Sequence, residues 1–187
     1  MYNSSMTYVA LLRGINVGGN RKVEMAKLKL TFEGLGFEKV KTFIASGNVV
    51  FRTSAADKVA LAKSIETAVE KDFGFHVDVL LRDLPNIEKL VKALPDDWAE
   101  TKETRCYAMF LWDEVDHPNV LEQLPFNPDI EDMKYLPGVV VWHIKRTNIT
   151  KSRVLKIIGT PFYKQLTMRN TNTVRKLYDL MLAADKA

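Results

Sequence analysis

The chain has 187 residues, 47% of them hydrophobic and 27% charged, with a formal net charge of +4. That length holds one compact domain or two small intertwined ones, and the ordinary globular composition excludes disorder and collagen-like repeats. No apolar run approaches the ~20 residues of a membrane span and the first residues lack the pattern of a signal peptide; the single cysteine, Cys106, has no internal disulfide partner, which points to a reducing cytoplasm.

Taken in order, the first 82 residues read as β-α-β-β-α-β. Tyr8–Leu12 is a short apolar run suited to a buried strand, and Met25, Leu28, Phe32 and Leu35 recur at helical spacing before Gly36, a C-terminal stop. Val40–Ala45 and Asn48–Arg52 are strand-like runs separated by Ser46-Gly47, which predicts a tight hairpin. Leu61, Ile65, Val69 and Phe73 stripe a second helix closed by Gly74, and Val77–Leu81 is a fourth strand. This is the order of a ferredoxin-like split β-α-β unit, an α+β fold with helices on one face of an antiparallel sheet.

A helix over about 84–94 leads to residues 95–103, the candidate boundary, after which the pattern repeats less clearly. Arg105–Trp112 reads as a strand and Asn119–Leu124 as a short helix. Asp132–Leu136 and Val139–Arg146 read as strands flanking Pro137-Gly138. Ser152–Ile158 reads as a short helix, Tyr163–Met168 as extended and Thr171–Ala184 as a final helix with Val174, Leu177, Tyr178 and Met181 inward. The expected organisation is therefore two intertwined ferredoxin-like halves, about 6–94 and 104–187, sharing a largely antiparallel core.

Charge is distributed in blocks: +5 over residues 1–56, −9 over 57–144 and +8 over 145–187. If the two basic ends meet, they form a cationic face that concentrates anions. The Arg13–Lys22 loop (RGINVGGNRK) joins a strand to a helix, and its glycines let backbone amides turn toward a phosphate. Its spacing fits neither a nucleoside-triphosphate loop, because Asn20-Arg21 follows Gly19, nor a dinucleotide fingerprint, because Asn16 stands where glycine is required. Candidate ligand contacts here are Arg13, Asn16, Gly18, Gly19, Arg21 and Lys22. A glycine-bearing strand-to-helix turn is the structural alternative. Thr167–Thr173 (TMRNTNT) precedes the last helix; Asn170 or Thr171 suits an N-cap, and Arg169, Asn170 and Thr173 offer the same donors to a phosphate or carboxylate. Ser46 and Asn48 form a second polar pair, placed by this reading at the opposite end of the sheet from the glycine loop.

His76, His117 and His143 show no metal-ligand spacing, so no metal or cofactor site is read. Cys106 lies in an apolar strand as a buried small hydrophobe, Gly-x-Ser-x-Gly is absent, and the RNA-recognition signature is missing from Asn48–Arg52.

The runs Tyr8–Gly19 (YVALLRGINVGG), Lys22-Val-x-Met-Ala26, Leu35-Gly-Phe37 and Ala45–Phe51 (ASGNVVF), with Met168-Arg-Asn-x-Asn-Thr173 before Lys176-Leu177, closely resemble the bacterial domain-of-unknown-function family numbered sixteen-ninety-seven. The resemblance begins at Met6, which implies that residues 1–5 are a disordered extension. It implies two ferredoxin-like halves, in agreement with the element order, and carries no activity. The functional expectation is a binding protein for a phosphate-bearing or other anionic ligand, nucleotide or nucleic acid. A metal-independent enzyme using Ser46, Asn48 and Arg13, and an interaction module without a small ligand, stay open beside it. The two anion-seeking segments, 13–22 and 169–173, are expected to form one cationic cleft.

Overall fold

The architecture follows from two strands that are buried on both faces. The structure, a computed structural model, describes residues 5–186; four of the five residues expected to form an N-terminal extension lie outside the described residues. In the first half, β1 (Met6–Leu12) is buried at every residue after Met6. It lies between β3 (Asn48–Thr53) and β4 (Val79–Asp83), with β2 (Glu38–Phe43) outside β3, in the antiparallel order β2-β3-β1-β4. This is the strand order of the ferredoxin-like unit.

Two helices cover one face of this sheet. In α1 (Met25–Gly34), Leu28 and Phe32 turn inward, and Gly36 follows its end at φ +79°, a left-handed conformation that costs glycine nothing. In α2 (Lys58–Phe73), the Asp57 carboxylate accepts the Val59 and Ala60 amides at 3.0 Å each, satisfying two donors that the first turn leaves unpaired. Leu61, Ile65 and Val69 pack onto Tyr8, Ala10 and Leu12. Phe51 is the hub of the aromatic packing, with ring centroids 4.5 Å from Phe37, 5.4 Å from Phe32 and 5.9 Å from Tyr8.

The second half repeats the strand plan. After α3 (Leu84–Ala93), β5 (Thr104–Leu111) is central in the order β6-β7-β5-β8, with β6 at Glu131–Leu136, β7 at Val139–Lys145 and β8 at Leu166–Asn170. The chain ends in α4 (Thr171–Asp185). The crossovers, read as short helices at 119–124 and 152–158, have 3-10 geometry. Pro118–Gln123, Arg146–Lys151 and Val154–Ile157 are 3-10 turns, and the stretch read as extended from Tyr163 starts as another, Phe162–Gln165. Prolines at 118, 125, 128 and 161 remove amide donors, and Thr147, Ile149, Thr150 and Val154 are β-branched, so no stretch supports several α-turns.

The chain divides into two compact units: residues up to Glu88 with those from Lys176, and residues Lys89–Arg175. The divisions fall inside α3 and α4. The end of α4 is tied into the first unit by Thr7, whose hydroxyl donates to Asp185 Oδ1 at 2.8 Å, and by the Tyr178 hydroxyl on Glu88 at 2.9 Å. Residues 95–103, read as a boundary, are fastened within the second unit. The Glu100 carboxylate accepts the Cys106 amide at 3.0 Å and pairs with Arg146, and Asn172 Nδ2 donates to the Glu100 carbonyl at 2.7 Å. Among the described residues no helix is long and apolar enough to cross a membrane.

One expectation is reversed. Because β3 runs antiparallel to β1, with Leu11 opposite Asn48, the β2–β3 hairpin stands at the same end of the sheet as the loop leaving β1. The Leu12 amide donates to the Gly47 carbonyl at 2.8 Å and the Arg13 amide to the Asp78 carbonyl at 3.0 Å. The second half reproduces both bonds, Leu111 to Gly138 at 3.0 Å and Trp112 to Gln165 at 3.1 Å.

Gly47 sits at φ +79°, and a Cβ there would lie 2.7 Å from Ile15 Cδ1 and 2.8 Å from Leu12 Cβ. Gly47→Ala is therefore expected to destabilise the protein by about 2–4 kcal/mol through backbone strain and overpacking together. A urea denaturation midpoint within error of the parent would contradict this close packing.

Candidate functional site

Three segments converge where β1 ends: the glycine loop 13–22, the hairpin 44–47 and the α2–β4 connection 74–78. The loop is a miniature hairpin. The Asn16 amide donates to the Arg21 carbonyl and the Asn20 amide to the Val17 carbonyl, both at 3.1 Å, and Val17 bridges Asn20. Gly18 and Gly19 make the tip at φ +60° and +79°, the two successive positive values that a type I′ turn demands and that glycine alone adopts without cost. Their exposed amides have no hydrogen-bond partner among the described residues. The helix does not follow directly: Lys22–Glu24 is non-helical, and α1 starts at Met25 behind Glu24, whose side chain makes no cap bond.

Asn16 holds the assembly together from a left-handed φ of +54°. Its Nδ2 donates to Val23 O at 3.0 Å and Ala45 O at 2.8 Å, while its Oδ1 accepts the Val23 amide at 2.8 Å. Asparagine is one of the few residues that tolerates this backbone and can bond in both directions. Its role is thus to lock the loop onto the hairpin.

The cations lie around this lock. The Arg13 guanidinium is mostly buried, with Nη1 3.7 Å from Asp78 Oδ2. Arg21 donates to the His76 carbonyl and lies 5.4 Å from the centre of the Phe75 ring. His76 Nε2 is 3.1 Å from Asp78 Oδ1. Lys22 is exposed and has no ion-pair partner among the described residues. Of the second polar pair, Ser46 is exposed, but Asn48 is fully buried and donates from Nδ2 to Phe43 O and Ser46 Oγ, both at 3.0 Å, so it shapes the hairpin. Phe75 and Asp78 carry no local signal in the sequence, and His76 stands there only as a histidine without metal-ligand spacing. The signal for them was topological, because an antiparallel β-α-β-β-α-β order brings its last loop to the end where the first strand finishes.

The remaining predicted contacts belong to the second unit. Arg169 on β8 is 6% exposed and donates from Nη1 to Thr167 Oγ1 at 2.9 Å and Met168 O at 2.8 Å. Burial pushes its guanidinium down to about 10, opposed by Tyr163, and it stays a cation at neutral pH. Asn170 Oδ1 accepts the Thr173 amide at 2.7 Å, the N-cap of α4, and Thr173 is itself buried.

That unit also carries Asp132, His143 and Cys106 side by side on β6, β7 and β5, with His143 Nδ1 3.2 Å from Asp132 Oδ2 and Trp98 stacked on the imidazole at 5.4 Å. The order matches a thiol triad, but the environment does not. Burial pushes the fully buried Cys106 thiol up to about 11, with the Thr171 hydroxyl opposing, whereas a nucleophilic cysteine needs a depressed value. Among the described residues there is no group of three or more His, Cys, Asp or Glu arranged to hold a metal ion.

The family model described as "Protein of unknown function (DUF1697)" matches residues 6–142, and the chain belongs to that family. The chain is similar to a solved structure described as conserved bacterial protein SP0830 from Streptococcus pneumoniae, at 28% identity and a TM-score of 0.80, over 95% of this chain and 99% of that one. A second match, to an unknown protein from Galdieria sulphuraria, has 12% identity and a TM-score of 0.27 over 97% of this chain and 92% of that one. No curated protein matches.

Two outcomes test these assignments. Asn16→Asp keeps the acceptor for Val23 but sets a carboxylate against two carbonyls, so it should cost roughly 1–3 kcal/mol in chemical denaturation; unchanged stability would remove Asn16 from its locking role. For Cys106, a thiol reagent at about pH 8 should label the native protein far more slowly than the denatured chain. The folded state retains a proton that the unfolded chain releases from about 9.0, so this thiol's contribution to stability should fall as pH rises from there toward 11. Rapid native labelling would overturn the assignment.

Proposed function

We propose that the end of the first sheet formed by residues 13–22, 44–47 and 74–78 binds a phosphate-bearing or other anionic ligand, a nucleotide or nucleic acid. The observation that carries this reading is the loop itself: Arg13, Arg21 and Lys22 lie on ten residues without an acid, around two exposed glycine amides. Exposed amides and cations at one turn are what a phosphate oxygen needs. The Arg13–Asp78 pair, at 3.7 Å, is longer than a hydrogen-bonded ion pair. Arg169 and Asn170 are committed to bonds inside the second unit and are left out of this site. Catalysis by Ser46 and Asn48 has less support, because Asn48 is spent on the hairpin. The single buried cysteine favours a cytoplasmic setting.

The test is a thermal-shift series with inorganic phosphate, AMP, ATP, a sugar phosphate and citrate, with oligonucleotide retention measured at low and high salt. A bound anion should raise Tm, by the equivalent of about 2.7 kcal/mol at a hundred times Kd, and Arg13→Ala with Lys22→Ala should abolish the rise. Oligonucleotide binding, if it is the function, should weaken steeply with salt through counterion release. No shift with any anion and no retained oligonucleotide would refute the proposal and leave an interaction module.

A further inference from the structure

Two apolar side chains at this end of the sheet stand where folding alone does not want them. Ile44 is 48% exposed at φ +49°, a left-handed backbone that is a true outlier for a β-branched residue and that asparagine or glycine would adopt more easily. Val17 is 67% exposed beside the Gly18-Gly19 tip. Single exposed aliphatics are common and need no explanation, as with Leu30 on α1 or Val59 on α2. These two differ in lying on two turns that one hydrogen bond joins. Asn16 Nδ2 donates to Ala45 O at 2.8 Å, so the residues next to that bond, Val17 and Ile44, sit on adjoining turns. Arg13, Arg21 and Lys22 belong to the same loop as Val17. Strained backbone clusters at binding and catalytic sites.

From this we infer that the ligand of the proposed anion site is a phosphate ester carrying an apolar ring system, of the nucleotide class, whose ring packs on Val17 and Ile44 while its phosphate meets the basic loop. The inference rests on the anion-binding reading and adds the chemistry of the ligand's other end. A bare phosphate would leave both aliphatics in water and give them no role. A ring laid across them removes apolar surface from water on both partners, worth about a tenfold gain in affinity for an area of this kind.

The experiment compares AMP with ribose 5-phosphate and inorganic phosphate by titration calorimetry, on the parent chain, Ile44→Asn and Val17→Ser. The parent should bind AMP about tenfold more tightly than ribose 5-phosphate, the same molecule with a hydroxyl in place of its adenine base. Ile44→Asn should erase that difference and leave ribose 5-phosphate binding unchanged, while its Tm holds or rises by on the order of 2 °C as the backbone strain is relieved. Val17→Ser should lower AMP affinity in the same selective way. A merely structural Ile44 would leave the ratio of the two affinities untouched, which overturns the inference. Equal binding of AMP and ribose 5-phosphate by the parent also overturns it while leaving the anion site intact, whereas failure of all three probes removes the anion site and the inference with it.

Discussion

The bond from the Leu12 amide to the Gly47 carbonyl, 2.8 Å long, is the constraint on which the loop-bearing end of the first unit depends. It closes the β1–β3 ladder at the point where both strands turn away, and it can form only because Gly47 has no side chain to collide with Leu12 and Ile15. With that end closed, the loop leaving β1 has to fold back over the hairpin. Asn16 then fastens it there with an amide that bonds both to the loop's own return at Val23 and to the hairpin at Ala45. A backbone close approach and one amide side chain thus join two connections into a single surface.

The second unit shows which part of this arrangement belongs to the fold and which to this particular site. Leu111 and Trp112 repeat the bonds of Leu12 and Arg13 to the neighbouring loops. The strand order and the closure of the central strand are therefore common to both halves. What the second half lacks is the decoration: Trp112 and Asp113 stand where the first half has Arg13 and Gly14, and its crossovers are 3-10 turns. Glu100 and Arg169 are engaged inside the unit instead. Glu100 gathers the Cys106 amide, Arg146 and Asn172, and Arg169 is buried among bonds to its own strand. A polar group removed from water must find partners, and here the partners are local.

Much of this was legible from residue order. The apolar runs, the stripes at helical spacing and the glycine stops at 36 and 74 mark the first four strands and two helices to within a few residues, because burial period and left-handed backbone are local properties. The second half was read less well, since its turns are short and proline-bounded, and a few residues of 3-10 geometry leave no periodic trace. Asn170 was legible as a cap because capping spans three residues. The reversed placement of the Ser46 hairpin came from a strand direction, which no single residue encodes.

What the sequence determined alone is the ferredoxin-like order, the apolar faces and the residue types of the basic, glycine-bearing loop, since each depends on spacing along the chain. Only the tertiary structure decided that the loop, the hairpin and the 74–78 connection share one end, that Arg13 faces Asp78 and Arg21 covers Phe75, and that Asn48 is buried in support of the hairpin. Those outcomes depend on which strand lies beside which and in what direction. Pairing of this kind brings together residues far apart in the chain, so it is set by burying a whole sheet at once and leaves no local mark on the residues it joins.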